Sequence, residues 1–291
     1  MSETRPPIPL RTKLLAPGLV LFAVVAAVTV GGWLQFDERQ TLDTVHSTGS
    51  SAPDRVDVRA TVQHVDAAGR ELVLRVTVVP RGELAEAGGV SPRQDLVLQT
   101  SASTGGDLAF KAHSRISSRD LPVYLTGGLI TDYPFDAYAA DIEFGATAGG
   151  ERVPVRIELS NNDALFSAVM DASGDEDVAA FGVDLSRSNS VLVFAAFMMV
   201  AMWALAVSVL IGAWFLLTRR HGMTWPALGW MAATLFALAA FRNTAPGTPP
   251  IGSLLDYLAF FWAETVIVLC LVTVVVMALR VEQRATDPAA P

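Results

Sequence analysis

The 291-residue sequence is poor in cysteine, in lysine and in charge of either sign. It has one cysteine, Cys270, so no intrachain disulfide can form and every domain must be stabilised by its own core. Cys270 also lies in a strongly apolar stretch where a thiolate is hard to form, so it reads as a small packing residue. Lysine occurs only as Lys13 and Lys111, against 19 arginines. With abundant Ala, Val and Gly, this bias points to a GC-rich genome and a bacterium such as an actinomycete. Charged residues make up 17% and hydrophobic ones 52%, a balance too apolar for one ordinary soluble domain. No serine stands in G-x-S-x-G, and His46, His64, His113 and His221 lack the spacing of metal ligands. The expectation is a protein that is not an enzyme and uses no metal or other cofactor.

What the sequence does have is four apolar blocks, near 14–34, 191–217, 225–241 and 254–279. The first, Leu14 to Leu34, approaches the roughly 20 residues needed to cross a hydrocarbon core of about 30 Å. A cleaved signal peptide is the rival reading, since Arg5, Arg11 and Lys13 precede it. The run is longer than a signal core and no A-x-A-like site follows, which favours a retained anchor. Basic residues near span ends prefer the cytoplasm. Arg5, Arg11 and Lys13, then Arg219 and Arg220 with His221, then Arg280 and Arg284, place both termini and the loop Thr218 to Thr224 inside. The segment Asp37 to Arg187 is then outside; it holds 24 acidic and 13 basic residues, which argues against nucleic acid as a partner. The second block, Val191 to Leu217, exceeds a span, so it should tilt or project a turn beyond the bilayer. Trp203, Trp214, Trp225 and Trp230 include interface anchors.

The outer region alternates. Val56, Val58, Ala60 and Val62, a turn at Asp66 to Arg70 with Gly69, then Leu72, Leu74, Val76 and Val78 predict a β-hairpin with one buried face. Further strands are expected at Asp95 to Thr100, Leu108 to His113, Pro122 to Thr126, Ala137 to Phe144 and Arg152 to Ser160, separated by Gly and Pro clusters. So many short strands suggest an antiparallel sandwich. A short helix is expected at Ala164 to Met170. Asp171, Asp175, Glu176 and Asp177 fit no EF-hand spacing and read as a solvated loop. The fold class is therefore an α+β membrane protein: one N-terminal transmembrane helix, an extracytoplasmic antiparallel β-sandwich and three C-terminal transmembrane helices. Its divisions are 1–36, 37–188, 189–280 and a cytoplasmic tail 281–291.

Two segments stand apart. Tyr133-Pro134-Phe135-Asp136 resembles the Phe-Pro-Phe-Asp loop through which the sandwich of pentameric ligand-gated channels meets its membrane helices. Those receptors have four spans after the domain, whereas this chain has one before and three after. Read from its residues alone, the segment is a turn in which Pro134 fixes φ, Phe135 plugs the core and Asp136 caps neighbouring amides; it is also the loop placed to meet the membrane. The second segment is the hairpin Arg242 to Gly252, with Asn243, Pro246, Gly247, Pro249 and Pro250, leading to Asp256 and Glu264. Its prolines and glycines exclude continuous helix. Glu264 lies about 12 Å beyond Asp256 along a helix and on a similar face. A carboxylate at that depth costs about 2.5–3.5 kcal/mol on insertion scales and usually has a partner. Arg242 is the expected partner of Asp256, and also a candidate for Glu264. The three form an intramembrane polar cluster that either pins two helices or serves as a proton or cation site.

The pattern R-N-x-x-P-G-x-P-P-I-G-x-x-x-D-Y-x-x-F-F-W-x-E, with Tyr133 to Asp136 and the one-plus-three span layout, resembles the actinobacterial, largely mycobacterial, membrane family termed domain of unknown function 4436. The resemblance extends over nearly the whole chain and implies a bacterial cell membrane, without an activity or a cofactor. The expected function is an envelope binding or assembly protein whose outer domain meets a protein or glycolipid, with the lipid bilayer and further copies of itself as other partners. The alternative is an oligomeric channel or transporter subunit using Glu264.

Overall fold

The computed structural model describes residues 44–87, 89, 91–102, 106–174, 178–218 and 225–286, with 25, 28–29, 31–33 and 36. The first apolar block lies largely outside the described residues, and the loop 219–224 and the acidic residues 175–177 lie wholly outside them.

Among the described residues, eleven strands form two facing sheets. The first has the order β1 (Val45–Gly49), β9 (Val155–Asn161), β2 (Val56–Asp66), β3 (Glu71–Pro80) and β6 (Arg119–Tyr124). The second runs β10 (Phe166–Gly174), β11 (Val178–Arg187), β7 (Ala137–Ala148), β4 (Leu96–Thr100) and β5 (Leu108–Phe110), with β8 (Glu151–Val153) also on β7. The expected hairpin is β2–β3. Val56, Val58, Ala60 and Val62 lie beside Leu72, Leu74, Val76 and Val78 on the buried face of that sheet. The alternation then slips: Val62 pairs with Leu74 but His64 with Val73, so Gln63 is an extra residue. That bulge keeps Val65 inward although it lies three positions after Val62. Outside the core, Arg55 and Arg81 each donate to the buried Asp57 at 2.7 Å. Burial alone would raise that carboxyl; the bonds from Arg81 and Arg55 outweigh it and hold Asp57 below the usual carboxylate range.

Two expectations about the sandwich need correction. It is mostly antiparallel, but β2 and β9 run parallel. The chain leaves the second sheet at β8 and enters the first at β9, and Pro154 sits between them with no amide to continue a ladder. Its carbonyl instead accepts the Val56 amide at 2.9 Å. The second correction is at Ala164 to Met170, which is not a helix: Phe166 opens β10. Asp163 accepts the amides of Val65 and Leu165, both at 2.7 Å, and Asn161 Nδ2 donates to the Phe166 carbonyl at 2.7 Å. These bonds hold the chain extended at its exit from β9. The partner strand β11, which turns Ala179, Phe181, Val183 and Leu185 inward, then pairs β10 along its whole length. Neither β1 nor β11 is among the strands read from the sequence.

Among the described residues, three helices follow: α1 (Asn189–Thr218), α2 (Trp225–Arg242) and α3 (Phe261–Thr286), the last entered through a wider turn at Asp256–Phe260. Only Ser188 separates β11 from α1. Its hydroxyl accepts the Val191 amide at 3.4 Å and its own amide bonds to the Leu165 carbonyl at 3.0 Å. Among the described residues, two stretches, Asn189–Thr218 and Asp256–Gln283, are long and apolar enough to cross a membrane, each with a mean hydropathy of 2.4. The expectation of four spans is not supported. The third block is a helix of 18 residues, about 27 Å. Pro226, Gly229, Thr234 and Arg242 dilute its hydropathy, and it is not among the stretches long and apolar enough.

The helices pack through small and flexible side chains. Val191, Ala195, Met198, Met202, Ala206 and Val209 of α1 recur at intervals of three and four. They share one cluster with Leu255, Ala259, Ala263, Ile267 and Cys270, spaced likewise. Alanines on both sides allow close approach, the usual way helices associate where water exclusion cannot drive them together.

Candidate functional site

The sandwich and the helices meet at a buried joint built around Arg187, the last residue of β11. Its Nε donates to Asp136 Oδ1 at 2.9 Å and its Nη2 to Asp136 Oδ2 at 2.9 Å, with both side chains at 2% exposure or less. Tyr138 Oη donates to Asp136 Oδ2 at 3.0 Å. The guanidinium lies 4.1 Å from the Phe166 ring centroid and 5.1 Å from that of Tyr133, so its faces meet aromatic rings while its edge meets the carboxylate. Burial pushes the Tyr138 hydroxyl up from its ordinary value, and the neighbouring Asp136 adds to the effect.

The loop Tyr133 to Asp136 carries the contact. Tyr133 is fully buried and belongs to the helical cluster, not to the sandwich core. Its carbonyl accepts the Leu255 amide at 3.2 Å. Burial pushes its hydroxyl up to about 12, with Asp136 acting in the same direction and Arg187 and Arg242 opposing. That hydroxyl has no hydrogen-bond partner among the described residues. The Tyr133–Pro134 peptide is cis, and Pro134 is buried. Phe135 does not plug the core: it is 62% exposed, and Tyr133 fills the interior instead. Nor does Asp136 cap amides, because Arg187 and Tyr138 take its oxygens. The second difference has a plain origin: the buried cation Arg187 competes better for the carboxylate than a backbone amide does.

The hairpin after α2 is closed by Arg242 and Asp256. Arg242 Nε donates to Asp256 Oδ1 at 2.7 Å and Nη2 to Oδ2 at 2.6 Å. Its remaining donors bind the carbonyls of Pro249 at 3.0 Å and Pro250 at 2.9 Å. The amides of Gly252 and Ser253 and the Ser253 hydroxyl also reach Asp256 Oδ2. A planar cation with five donors suits a proline-rich turn whose carbonyls have few amides nearby. Pro249 is buried, Pro246 is half-buried, and Asn243, Gly247 and Pro250 are exposed. Gly247, at φ +74, lets the turn approach Arg187: a Cβ there would lie 2.7 Å from Nη1. The structure thus brings Tyr133, Asp136, Arg187, Gly247 and Leu255 together, with the Arg242–Asp256 pair one step along the same hairpin.

Glu264 stands apart. It is half-buried on α3, and among the described residues it has neither an ion pair nor a hydrogen bond. Arg242 is occupied by Asp256 and the turn. Between Asp256 and Glu264 the helix widens, the Phe261 amide bonding to the Asp256 carbonyl five residues back. Two indoles reach carbonyls of this turn, Trp262 Nε1 to Tyr257 at 2.8 Å and Trp203 Nε1 to Leu258 at 3.1 Å. Elsewhere, His64 lies 3.8 Å from Asp163, and His113 bonds to Glu86, while Asp171 is an exposed residue of β10.

Sequence reasoning missed Arg187 as a site residue, together with Tyr138 and Phe166. The available signal was a lone arginine between an alternating strand and a long apolar run, a position where a cation is buried on both sides and must be paired.

Residues 187–281 match the family described as Domain of unknown function (DUF8686). Residues 46–186 match the one described as Domain of unknown function (DUF4436). No curated protein matches the chain. The boundary between the two matches falls at Arg187, so the joint contains residues of both. The resemblance drawn over nearly the whole sequence therefore divides, with Tyr133 to Asp136 in one match and the Arg242 to Glu264 hairpin in the other. The β-sandwich, just under half of the chain, is thus the part that matches DUF4436.

Proposed function

We propose that the chain is a multi-pass protein of a bacterial cell membrane. Its β domain faces outward, both termini are cytoplasmic, and the domain binds an envelope partner, protein or glycolipid, while the helices anchor it or assemble with further copies. The observation that carries this reading is the outer surface of the two long helices. Only 28% and 22% of their most apolar windows are buried, whereas a core helix of a water-soluble protein buries most of itself. Phe197, Val207, Leu210, Ile211 and Trp214 of α1 and Leu269 and Val272 of α3 point outward, a surface suited to lipid. The acidic balance of residues 37–187 favours a neutral or cationic partner over an anionic surface.

Single cysteines at Asp107 and Thr218, in a Cys270→Ala background, test the topology. An impermeant thiol reagent should label position 107 in intact cells and position 218 only after permeabilisation; the reverse pattern overturns the orientation. Crosslinking in whole cells at native expression that yields no adduct of the β domain would remove the binding role.

A channel or transporter subunit is the second reading, favoured by Glu264 having no described partner. The helices of one chain leave little room for a pore, so this reading requires an oligomer. Proton or cation flux into proteoliposomes should then fall at least tenfold in Glu264→Gln, and flux unchanged by the substitution disposes of it.

A further inference from the structure

We propose that the helix-proximal rim of the β domain is a lipid-anchoring surface. In it Phe135, with Leu129 of the same loop and Ile251 of the α2–α3 turn, inserts among the headgroups and seats the domain on the bilayer. This inference rests on the membrane reading given above.

The level of Phe135 is set by main-chain bonds. The Tyr133 carbonyl holds the Leu255 amide at 3.2 Å, and the apolar stretch begins at the next residue, Asp256. Phe135 is two residues from Tyr133, within about 7 Å along an extended chain. Its ring therefore lies at the boundary where water would give way to hydrocarbon.

The exposure of that ring is built in. Pro134 and Asp136 on either side are buried, Asp136 is clamped by Arg187, and the Phe135 amide donates to the Asp132 carbonyl at 2.8 Å. A ring held at 62% exposure by fixed neighbours cannot fold back into the sandwich, and a turn tip that served only in water would more often carry a polar side chain. Other large apolar side chains stand out at the same end: Leu129 at 59% exposure, Ile251 at 76% and Tyr257 at 60%. They come from separate segments and lead, through Leu258 of the wider turn, into the outward apolar surface of α3. A discontinuous rim continuous with a lipid-facing helix suits lipid better than a protein partner, which would need one contiguous patch. Aromatic and aliphatic groups at headgroup depth act as interfacial anchors. Asp132, exposed in the same loop, remains on the water side.

Spin labels at single cysteines in the Cys270→Ala background test this, with the full chain in phosphatidylcholine–phosphatidylglycerol nanodiscs. The readout is the ratio of collision with oxygen to collision with a water-soluble nickel chelate. Leu210→Cys, in the second half of α1, reports the hydrocarbon; Glu151→Cys, which opens β8 beside the far end of β7, reports water. Phe135→Cys should give a ratio several-fold above Glu151→Cys and below Leu210→Cys. Leu129→Cys and Ile251→Cys are read in the same way, so a misfolded variant at one position leaves the others informative. A rim ratio equal to that at Glu151, with Leu210 oxygen-rich, overturns the anchor and leaves the membrane reading standing. A nickel-accessible Leu210 overturns the membrane reading and the anchor with it.

Discussion

Two arginine–aspartate pairs differ from the others in burial. Arg187–Asp136 and Arg242–Asp256 are buried, while Arg75–Asp120 has both side chains about half exposed. Breaking a buried pair leaves a charge without its counterion and costs about 3–5 kcal/mol. Asp136→Asn, which preserves shape, should therefore destabilise the joint by that order. Arg75→Ala should leave the thermal unfolding midpoint in detergent unchanged, because screened surface pairs contribute little. Equal midpoints for the two variants would show that Asp136 carries no such burden. At this scale the sequence was half legible. Arg242 and Asp256 could be paired because both lie beside apolar helices, 14 residues apart across a turn. Arg187 and Asp136 are 51 residues apart, and their pairing depends on which strand of the second sheet ends beside which loop.

The α2–α3 hairpin combines three prolines with a left-handed glycine, and the glycine matters for two separate reasons. Gly247 has φ +74, and its missing side chain leaves room for Arg187. Gly150, at φ +92, has open space around it. Gly247→Ala should cost about 1–3 kcal/mol from backbone strain alone and more from displacing Arg187. Gly150→Ala should pay only the strain, so its unfolding midpoint should drop less. The β2–β3 hairpin was readable because eight alternating residues flank a glycine turn, although the bulge at Gln63 was not. β10 was not readable, since Ala164 to Met170 permits either a helix or a strand. What decides it is a set of side-chain bonds from Asn161 and Asp163 and the arrival of β11, neither of which is visible in local periodicity.

At the scale of the whole molecule, apolar block lengths show where helices lie, and alternation shows that a sandwich lies before them. They do not show how the two halves are fastened. That information is spread over Tyr133, Arg187, Gly247 and Leu255, residues of four segments that meet only in the folded chain. The continuity of β11 with α1 through Ser188 has a mechanical consequence. There is no hinge of several residues to absorb rotation, and the paired arginine stands at the pivot. A sideways pull on the far turn at Gly149–Gly150 is therefore passed along β7 and β11 as through a lever arm, and arrives as a change in the inclination of the long helix.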